Sequence, residues 1–228
     1  MSLKQKVKSL LWDYILSDIR DGLATQRLIP LTEAYLPWSP SALSATVVEK
    51  LLNEIIVNQR SSIVECGGGM STIYIARLLQ QRADGHLHTI EHDGEWLTLL
   101  KDLLDERGLD EHVSLIHAPL QPTEQAWSGE QWYSVEIVRN ALKSVTIDLV
   151  LVDGPPAYRP EISHSRYPAV PILSEFLMDQ YTIVLDDIDR EGEKEIIKEW
   201  ECQLGIDFDI CLLDGNFAIG TKGEAFTV

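Results

Sequence analysis

Carboxylates end four short apolar runs of the sequence, and this spacing suggests that they act together. They are Glu65, Glu91, Asp153, and the adjacent pair Asp186 and Asp187. If the runs are parallel strands, their carboxyl ends meet at one sheet edge, where open α/β sheets bind ligands. Carboxylates gathered there repel one another unless a cation, a ligand donor or a shared proton lies among them. The pattern therefore predicts a binding site for a cation or a polar ligand.

Three consecutive glycines, Gly67, Gly68 and Gly69, follow the first of these runs. Glycine permits a tight turn and lets a ligand approach the backbone closely, so the turn is typical of a cofactor site. The dinucleotide fingerprint requires glycine at position 72, where Thr72 stands, and this disfavours NAD. Ser71 or Thr72 is expected to cap the following helix, a role compatible with contact to the cofactor.

Glu91 stands at the tip of the second run, where a carboxylate typically binds the two hydroxyls of a ribose. Helix capping is the other role open to a carboxylate in this segment. Asp93 is better placed to cap the next helix, because it directly precedes the helical pattern that contains Trp96. We therefore expect Glu91 to bind the ligand.

The elements that must position these residues alternate between strand and helix. Strands are predicted at 62–66, 86–91, 113–117, 147–153, 181–186, 207–212 and 216–220. Helices are predicted at about 3–20, 41–58, 71–82, 93–106, 134–143, 167–179 and 190–201. The alternation predicts an α/β, Rossmann-like, doubly wound and mostly parallel seven-stranded sheet. Asp214-Gly215 has hairpin chemistry, so one of the last two strands should run antiparallel.

The chain is expected to form one compact unit. We divide it into an N-terminal helical cap segment, residues 1–58, and a ligand-binding domain, residues 59–228. The first helix is amphipathic, and packing against its own domain is the favoured role over a membrane or a partner. The same helix could also form a contact between the subunits of a homodimer.

The net charge excludes two classes of partner. The 228 residues carry a formal charge of −17 at pH 7, which disfavours nucleic acids and anionic membrane surfaces. Three cysteines without a CxxC pair indicate a reduced, cytoplasmic setting. Most of the acidic residues are expected on the surface, as in the charged run from Glu191 to Glu201.

Four segments together resemble class I S-adenosylmethionine-dependent methyltransferases. They are Val64–Gly69, Thr89–Asp93, Asp148–Pro156 and Ile183–Asp187. The resemblance covers about residues 40–220, and it is strongest to small-molecule O-methyltransferases of the catechol and macrocin types. It implies S-adenosylmethionine as the cofactor and a small-molecule acceptor as the substrate. Noncatalytic binding of S-adenosylmethionine and aminopropyl transfer of the spermidine synthase type are the alternatives.

The resemblance also implies roles for individual residues. Glu65 would bind the amino group of the methionine moiety, and the glycine turn would carry that moiety on its backbone. Glu91, with His92 beside it, would hold the ribose, and Ala118 would flank the adenine. The full set of expected cofactor residues is Glu65, Gly67, Gly68, Gly69, Ser71, Thr72, Glu91, His92, Ala118 and Asp153.

Metal-dependent relatives bind Mg²⁺ at the positions of Asp153, Asp186 and Asp187, and three oxygen ligands suit that cation. The general base of such relatives is absent, because Pro155 and Pro156 stand at its two usual positions.

We therefore predict Asp153 and His164 as the catalytic residues, since the natural pKa of histidine suits proton transfer near neutral pH. In the same loop, Arg159 and Arg166 could bind an anionic substrate group or form surface ion pairs. Trp38, Trp127, Trp132 and Tyr133 are candidates either for pocket walls or for core packing.

Overall fold

Nine strands and seven helices make up the computed structural model, which describes residues 3–32, 34–39 and 41–227. The strands are β1 (Ser62–Cys66), β2 (His86–Glu91), β3 (Val113–His117), β4 (Leu120–Pro122), β5 (Gln131–Tyr133), β6 (Ile147–Val152), β7 (Leu177–Asp186), β8 (Phe208–Cys211) and β9 (Phe217–Lys222). The helices are α1 (Leu3–Leu28), α2 (Ala45–Val57), α3 (Met70–Arg82), α4 (Gly94–Asp105), α5 (Val135–Leu142), α6 (Ala169–Leu173) and α7 (Glu191–Leu204).

Seven of the strands form one sheet in the order β3-β2-β1-β6-β7-β9-β8. The first five in this order run parallel to one another, and β9 pairs antiparallel with both β7 and β8. The predicted doubly wound sheet with one antiparallel hairpin strand is therefore confirmed. The strand order reverses between β1 and β6, which places the ligand-binding edge at the carboxyl ends of these two strands.

Both faces of the sheet are covered, as the pleat of the central strand β6 shows. Leu149 and Leu151 pack into a core with α2, α3 and α4, whereas Val150 and Val152 pack into a second core with α5, α6 and α7. All six residues of β6 are buried. A strand buried on both sides must be apolar at nearly every position, which explains the continuous apolar run that predicted it.

Several elements differ from the prediction. β4 and β5 form a separate two-stranded sheet that was not predicted, because three-residue strands carry too little periodicity to detect. The helix predicted at 167–179 ends at Leu173, and β7 begins at Leu177. The start of β7 is mostly exposed, so its residues lack the apolar pattern of a buried strand.

The two N-terminal helices pack against the sheet to different extents. α2 buries Val47, Leu51 and Ile55 in the first core, and the Ser44 hydroxyl accepts a hydrogen bond from the amide of Val47 at its N-terminus. α1 is eight residues longer than predicted and contributes Ala24 and Leu28 to the same core. Its described earlier residues include exposed apolar side chains, namely Leu11, Trp12, Tyr14, Ile15, Leu16 and Ile19. The homodimer stays a prediction.

Within the described residues, every helix is too short or too polar to cross a lipid bilayer. The three cysteines, Cys66, Cys202 and Cys211, are all free.

A buried ion pair joins α2 to the sheet at the edge opposite the ligand site. Arg60 Nε lies 2.9 Å from Glu54 Oε1, and the two side chains are 6% and 2% exposed. The hydroxyl of Thr182 on β7 accepts a hydrogen bond from Arg60 at 2.8 Å and donates one to Glu54 at 2.7 Å. Nearby, the amides of Ser61 and Ser62 donate to the carboxylate of Asp148, which fixes β1 beside β6. These polar contacts set the register that aligns the strand ends.

Replacing Glu54 with alanine should lower the free energy of unfolding by about 3–5 kcal/mol, because Arg60 would remain buried without its counter-ion. Glu49, on the same helix, forms an exposed pair with Arg27 and provides the matched control. Glu49→Ala should cost no more than about 1 kcal/mol. Urea unfolding of both variants measures the difference, and equal losses would contradict a structural role for the buried pair.

Candidate functional site

The ligand-binding edge is formed by the residues that directly follow β1 and β6. The amide of Asp153 donates to the carbonyl of Cys66 at 3.0 Å, and the amide of Gly67 donates to the carbonyl of Ile90 at 2.9 Å. These bonds extend the parallel pairing by one residue and hold the glycine turn against the segment that begins with Asp153. The two segments then separate and leave a cleft between them.

The cleft has two lobes that share one wall. The shared wall consists of Ser41, Ala42, Gly68, Glu91, His92, Asp153 and Pro156. One lobe, of about 460 Å³, continues along the glycine turn to Met70, Ser71 and Trp96, and we call it the turn lobe. The other, of about 330 Å³, continues to Tyr133, Arg166, Asp187 and Arg190, and we call it the acidic lobe. Two small molecules could therefore bind side by side.

Close backbone packing requires glycine at two positions of this edge. Gly67 has a φ of +91°, a left-handed conformation that side chains rarely adopt. A Cβ atom on Gly154 would lie 2.9 Å from the Cα of Gly67 and 2.3 Å from the hydroxyl oxygen of Tyr133. The glycine turn, the Asp153 segment and the Tyr133 hydroxyl therefore meet at one point.

Glu65 supports the turn from below and does not line either lobe. It is fully buried, and its carboxylate accepts hydrogen bonds from the hydroxyls of Ser71, Thr72 and Thr89. Burial raises the pKa of Glu65 to about 7, against the opposing effect of these hydroxyls. Gly69 is the N-cap of α3, since the helix begins at Met70, and the Thr72 hydroxyl contributes to the cap by accepting a hydrogen bond from the Gly69 amide at 3.0 Å. Ser71 also lines the turn lobe, whereas Thr72 does not.

Glu91 lies in the wall between the two lobes, as expected for a ligand-binding carboxylate. Its Oε1 accepts hydrogen bonds from the amides of His92 and Asp93, and its Oε2 accepts one from the amide of Gly68 at 3.1 Å. Burial acts to raise the pKa of Glu91, but these bonds and His92 outweigh it and hold the pKa below its ordinary value. Asp93 caps α4, as predicted, by accepting from the amides of Glu95 and Trp96. Glu91 is therefore an ionised acceptor held in place on the cleft wall.

Tyr133 brings an unpaired hydroxyl to the acidic lobe. The side chain is fully buried at the end of β5, and its hydroxyl has no hydrogen-bond partner among the described residues. Burial raises the pKa of Tyr133 well above its ordinary value, so the phenol stays protonated and can donate. Buried polar groups are rarely left unpaired, which makes this hydroxyl a candidate ligand contact.

The three aspartates at the ends of β6 and β7 converge on the acidic lobe, as predicted. One carboxylate oxygen of each lies within 4.8 Å of the others. Burial raises the pKa of both Asp153 and Asp186, and mutual repulsion adds to the effect. Spacing alone would permit a divalent cation here.

Arg166 enters the same cluster. Its Nη2 lies 3.2 Å from Asp153 Oδ1 and 3.0 Å from Asp187 Oδ2, and only 4% of its side chain is exposed. Arg190 adds a second contact at 2.8 Å to Asp187 Oδ2. These residues do not fit a divalent cation, because a permanently charged guanidinium already occupies oxygens that the metal would need.

Sequence reasoning missed the arginine contacts and one further acid. Glu193 was assigned to the surface, yet it is fully buried and lies 3.7 Å from Arg166 and 3.6 Å from Arg190. Arg166 itself was expected to form a surface ion pair or bind an anion, and it is buried instead. The three-residue spacing between Arg190, the N-cap of α7, and Glu193 in its first turn is the one sequence signal that could have indicated the pair.

Besides Glu65 and Thr72, two further predicted site residues do not reach the cleft. His164 does not line either lobe; its Nε2 lies 2.6 Å from Glu195 Oε2, and its ring stacks on Trp127 at 4.3 Å. Ala118 is fully buried in the second core, and its amide donates to the carbonyl of Glu91. Trp96, which was not predicted as a site residue, lines the turn lobe and donates from its indole to the carbonyl of Gly68 at 2.7 Å.

Known structures share this architecture at low sequence identity. A Staphylococcus aureus protein assigned as a caffeoyl-CoA O-methyltransferase aligns with a TM-score of 0.62 at 14% identity, covering 97% of this chain and 100% of that one. The Bacillus cereus O-methyltransferase bound to S-adenosylhomocysteine gives 0.56 at 16% identity, covering 94% and 97%. The Streptomyces achromogenes O-methyltransferase TomG gives 0.54 at 19% identity, covering 86% and 95%.

No curated protein sequence matches the chain. A family model described as "Methyltransferase domain" matches residues 64–188, which is more than half of the chain and contains the glycine turn, Glu91 and all three aspartates. The chain therefore belongs to the methyltransferase-domain family, and it is a class I S-adenosylmethionine-dependent methyltransferase.

Proposed function

We propose that this enzyme methylates a hydroxyl group of a small molecule. The observation that carries the proposal is the two-lobed cleft, because methyl transfer requires donor and acceptor side by side. The turn lobe suits S-adenosylmethionine, and the acidic lobe suits a small polar acceptor. The volume of about 330 Å³ is at the lower end of small-molecule sites and suits a small acceptor. The O-methyltransferases among the structural neighbours support the choice of oxygen as the nucleophile.

The residues of the turn lobe fit S-adenosylmethionine. When bound, this cofactor supplies an electrophilic methyl group on a positively charged sulfonium. A Cβ atom on Gly69 would meet no protein atom closer than 4.0 Å, so a ligand can approach the backbone there, and Glu91 Oε2 keeps acceptor capacity for a ribose hydroxyl. The negative charge of the acidic lobe favours a cationic donor beside it.

Glu65 has a different role in this proposal than the sequence implied. Its two oxygens already accept three hydroxyl hydrogen bonds, so it holds the turn in shape. We assign the direct contacts to Gly67, Gly68, Gly69, Ser71, Glu91 and His92, and we leave Thr72 and Ala118 in supporting positions.

Asp153 is our candidate for the group that accepts the hydroxyl proton. It lines both lobes, so it faces the region where donor and acceptor meet. A positioned carboxylate can remove a proton as the new bond forms. His164 is not part of this proposal, because its ring is held outside the cleft. Mg²⁺, predicted from the three aspartates, is not part of it either, because Arg166 contacts two of them. The cytoplasmic location stays a prediction.

Calorimetry with S-adenosylhomocysteine and with NAD tests cofactor choice. We expect heat of binding from the first ligand and none from the second. A panel of small phenols, catechols and sugars is then incubated with S-adenosylmethionine, and release of S-adenosylhomocysteine is measured by mass spectrometry. Absence of binding to S-adenosylhomocysteine would reject the cofactor, and turnover only with amine or carbon nucleophiles would reject O-methylation.

Replacing Glu91 with glutamine should weaken S-adenosylhomocysteine binding by about 10- to 100-fold, because a hydrogen bond to a charged group contributes about 1.5–3 kcal/mol. Glu95, exposed on the next turn and outside both lobes, gives the control variant Glu95→Gln. Titration calorimetry measures both. Equal affinity of the two variants would remove Glu91 from the binding site.

Replacing Tyr133 with phenylalanine should weaken ligand binding without lowering the stability of the protein. The hydroxyl has no hydrogen-bond partner within the described part of the chain, so its loss should leave the melting temperature unchanged or raise it. Affinity for cofactor or acceptor should fall by about 2- to 12-fold, the equivalent of about 0.5–1.5 kcal/mol for one hydrogen bond.

Tyr181→Phe, at a buried tyrosine outside the cleft, is the control for this substitution. It should leave both ligand affinities unchanged. Loss of stability in Tyr133→Phe with unchanged affinities would show that the hydroxyl is structural.

A further inference from the structure

Arg166 is held at the convergence of the three aspartates by an almost complete set of hydrogen bonds. Its Nε donates to the carbonyl of Pro155 at 3.3 Å, and its Nη1 donates to the carbonyl of Asp186 at 3.1 Å. Its Nη2 donates to both the carbonyl and the carboxylate of Asp153 and pairs with Asp187. The guanidinium thus bridges the ends of β6 and β7 from a single buried position.

A divalent cation in this cluster would have to share the carboxylates of Asp153 and Asp187 with Arg166. Mg²⁺ binds carboxylate oxygens at about 2.0–2.1 Å and demands near-octahedral geometry. Asp153 Oδ1 and Asp187 Oδ2 are already bonded to Nη2, and Asp187 Oδ2 is also bonded to Arg190. The metal would also lie close to a guanidinium that does not lose its proton in proteins. Repulsion between the two cations is strong at short range away from bulk water.

The arginines supply the positive charge that the acids require. Four carboxylates, those of Asp153, Asp186, Asp187 and Glu193, face the two guanidinium groups of Arg166 and Arg190. Glu193 is fully buried, and its carboxylate has no hydrogen-bond partner among the described residues, so the two arginines are its counter-ions. The network joins β6, the loop after it, β7 and α7.

We propose that Arg166 takes the place that a divalent cation holds in metal-dependent enzymes of this fold, and that the acidic lobe functions without a bound metal. Asp153, Asp186 and Asp187 then anchor the guanidinium, and Arg166 acts as a positioning residue that shapes the lobe through them. The inference deepens the proposed function, since it concerns the acceptor side of the same cleft.

Metal binding by the wild-type protein and by Arg166→Ala tests the proposal without any methyl acceptor. In the wild type, millimolar Mg²⁺ should leave the melting temperature unchanged, and Mn²⁺ should give the electron paramagnetic resonance spectrum of the free ion. Arg166→Ala leaves the three aspartates without their main counter-ion. It should melt lower, bind Mn²⁺, and regain about 4–8 °C with saturating Mg²⁺.

Arg159→Ala is the matched control, because Arg159 lies in the same loop, is exposed and contacts Tyr158. It should neither bind Mn²⁺ nor respond to Mg²⁺. A folded Arg166→Ala protein that ignores both metals would overturn the proposal, since the guanidinium would not be what excludes them. If Arg166→Ala does not fold, Arg166→Gln is measured in the same way and judged by the same criterion.

Measurements on the wild-type protein test the proposal independently. Mn²⁺ binding that is lost in Asp187→Asn would overturn the proposal, as would methyl transfer that a chelator abolishes and Mg²⁺ restores. Failure to bind S-adenosylhomocysteine would reject the proposed function and leave the metal measurements valid. The two failures are therefore distinguishable.

Discussion

Like charges gathered at one sheet edge are the constraint on which this site depends. Parallel strands deliver Asp153, Asp186 and Asp187 to within 4.8 Å of one another. Two like charges about 4 Å apart at an effective dielectric constant of about 20 repel by about 4 kcal/mol, so the cluster requires a counter-charge. Arg166 provides it from the loop after β6 and thereby ties that loop to β7. The same side chain offsets part of the negative charge of the acids and forms part of the wall of the acidic lobe.

The other two carboxylates of this edge are accommodated by different means. Glu65 is surrounded by three hydroxyl donors and contributes to the shape of the glycine turn. Glu91 takes backbone amides on both oxygens and keeps its charge on the cleft wall. Glu65 and Glu91 both stand at the end of a strand, but the donors around each carboxylate differ. These donors decide whether the carboxylate holds the backbone in shape or remains available to a ligand. Position in the sequence alone does not distinguish the two roles.

Local patterns predicted the sheet well, because a strand buried on two faces must be apolar along its whole length. The ends of β1, β2 and β3 were predicted to the residue. The positions of the glycine turn and of the carboxylates at the strand ends could be inferred from these boundaries. The site was harder to predict, since its decisive contacts join residues from separate elements. Nothing local marks Arg166 as buried, and Glu193 lies in a charged helix whose pattern resembles a solvated face. The short β5 that carries Tyr133 has too few residues to show a period.

A guanidinium and a metal ion impose different demands on the acceptor. A metal with open coordination positions can bind two neighbouring substrate oxygens directly, as a catechol offers them. Arg166 uses its donors on Pro155, Asp186, Asp153 and Asp187, so it has little capacity left for a substrate. Orientation of the acceptor must then come from other groups that line the lobe and retain free donors. Tyr133, with its unpaired hydroxyl, and Arg190, with a third of its side chain exposed, meet that requirement. Two separate donors can orient one acceptor hydroxyl as well as two neighbouring hydroxyls. An acceptor bound in this lobe therefore need not be a vicinal diol.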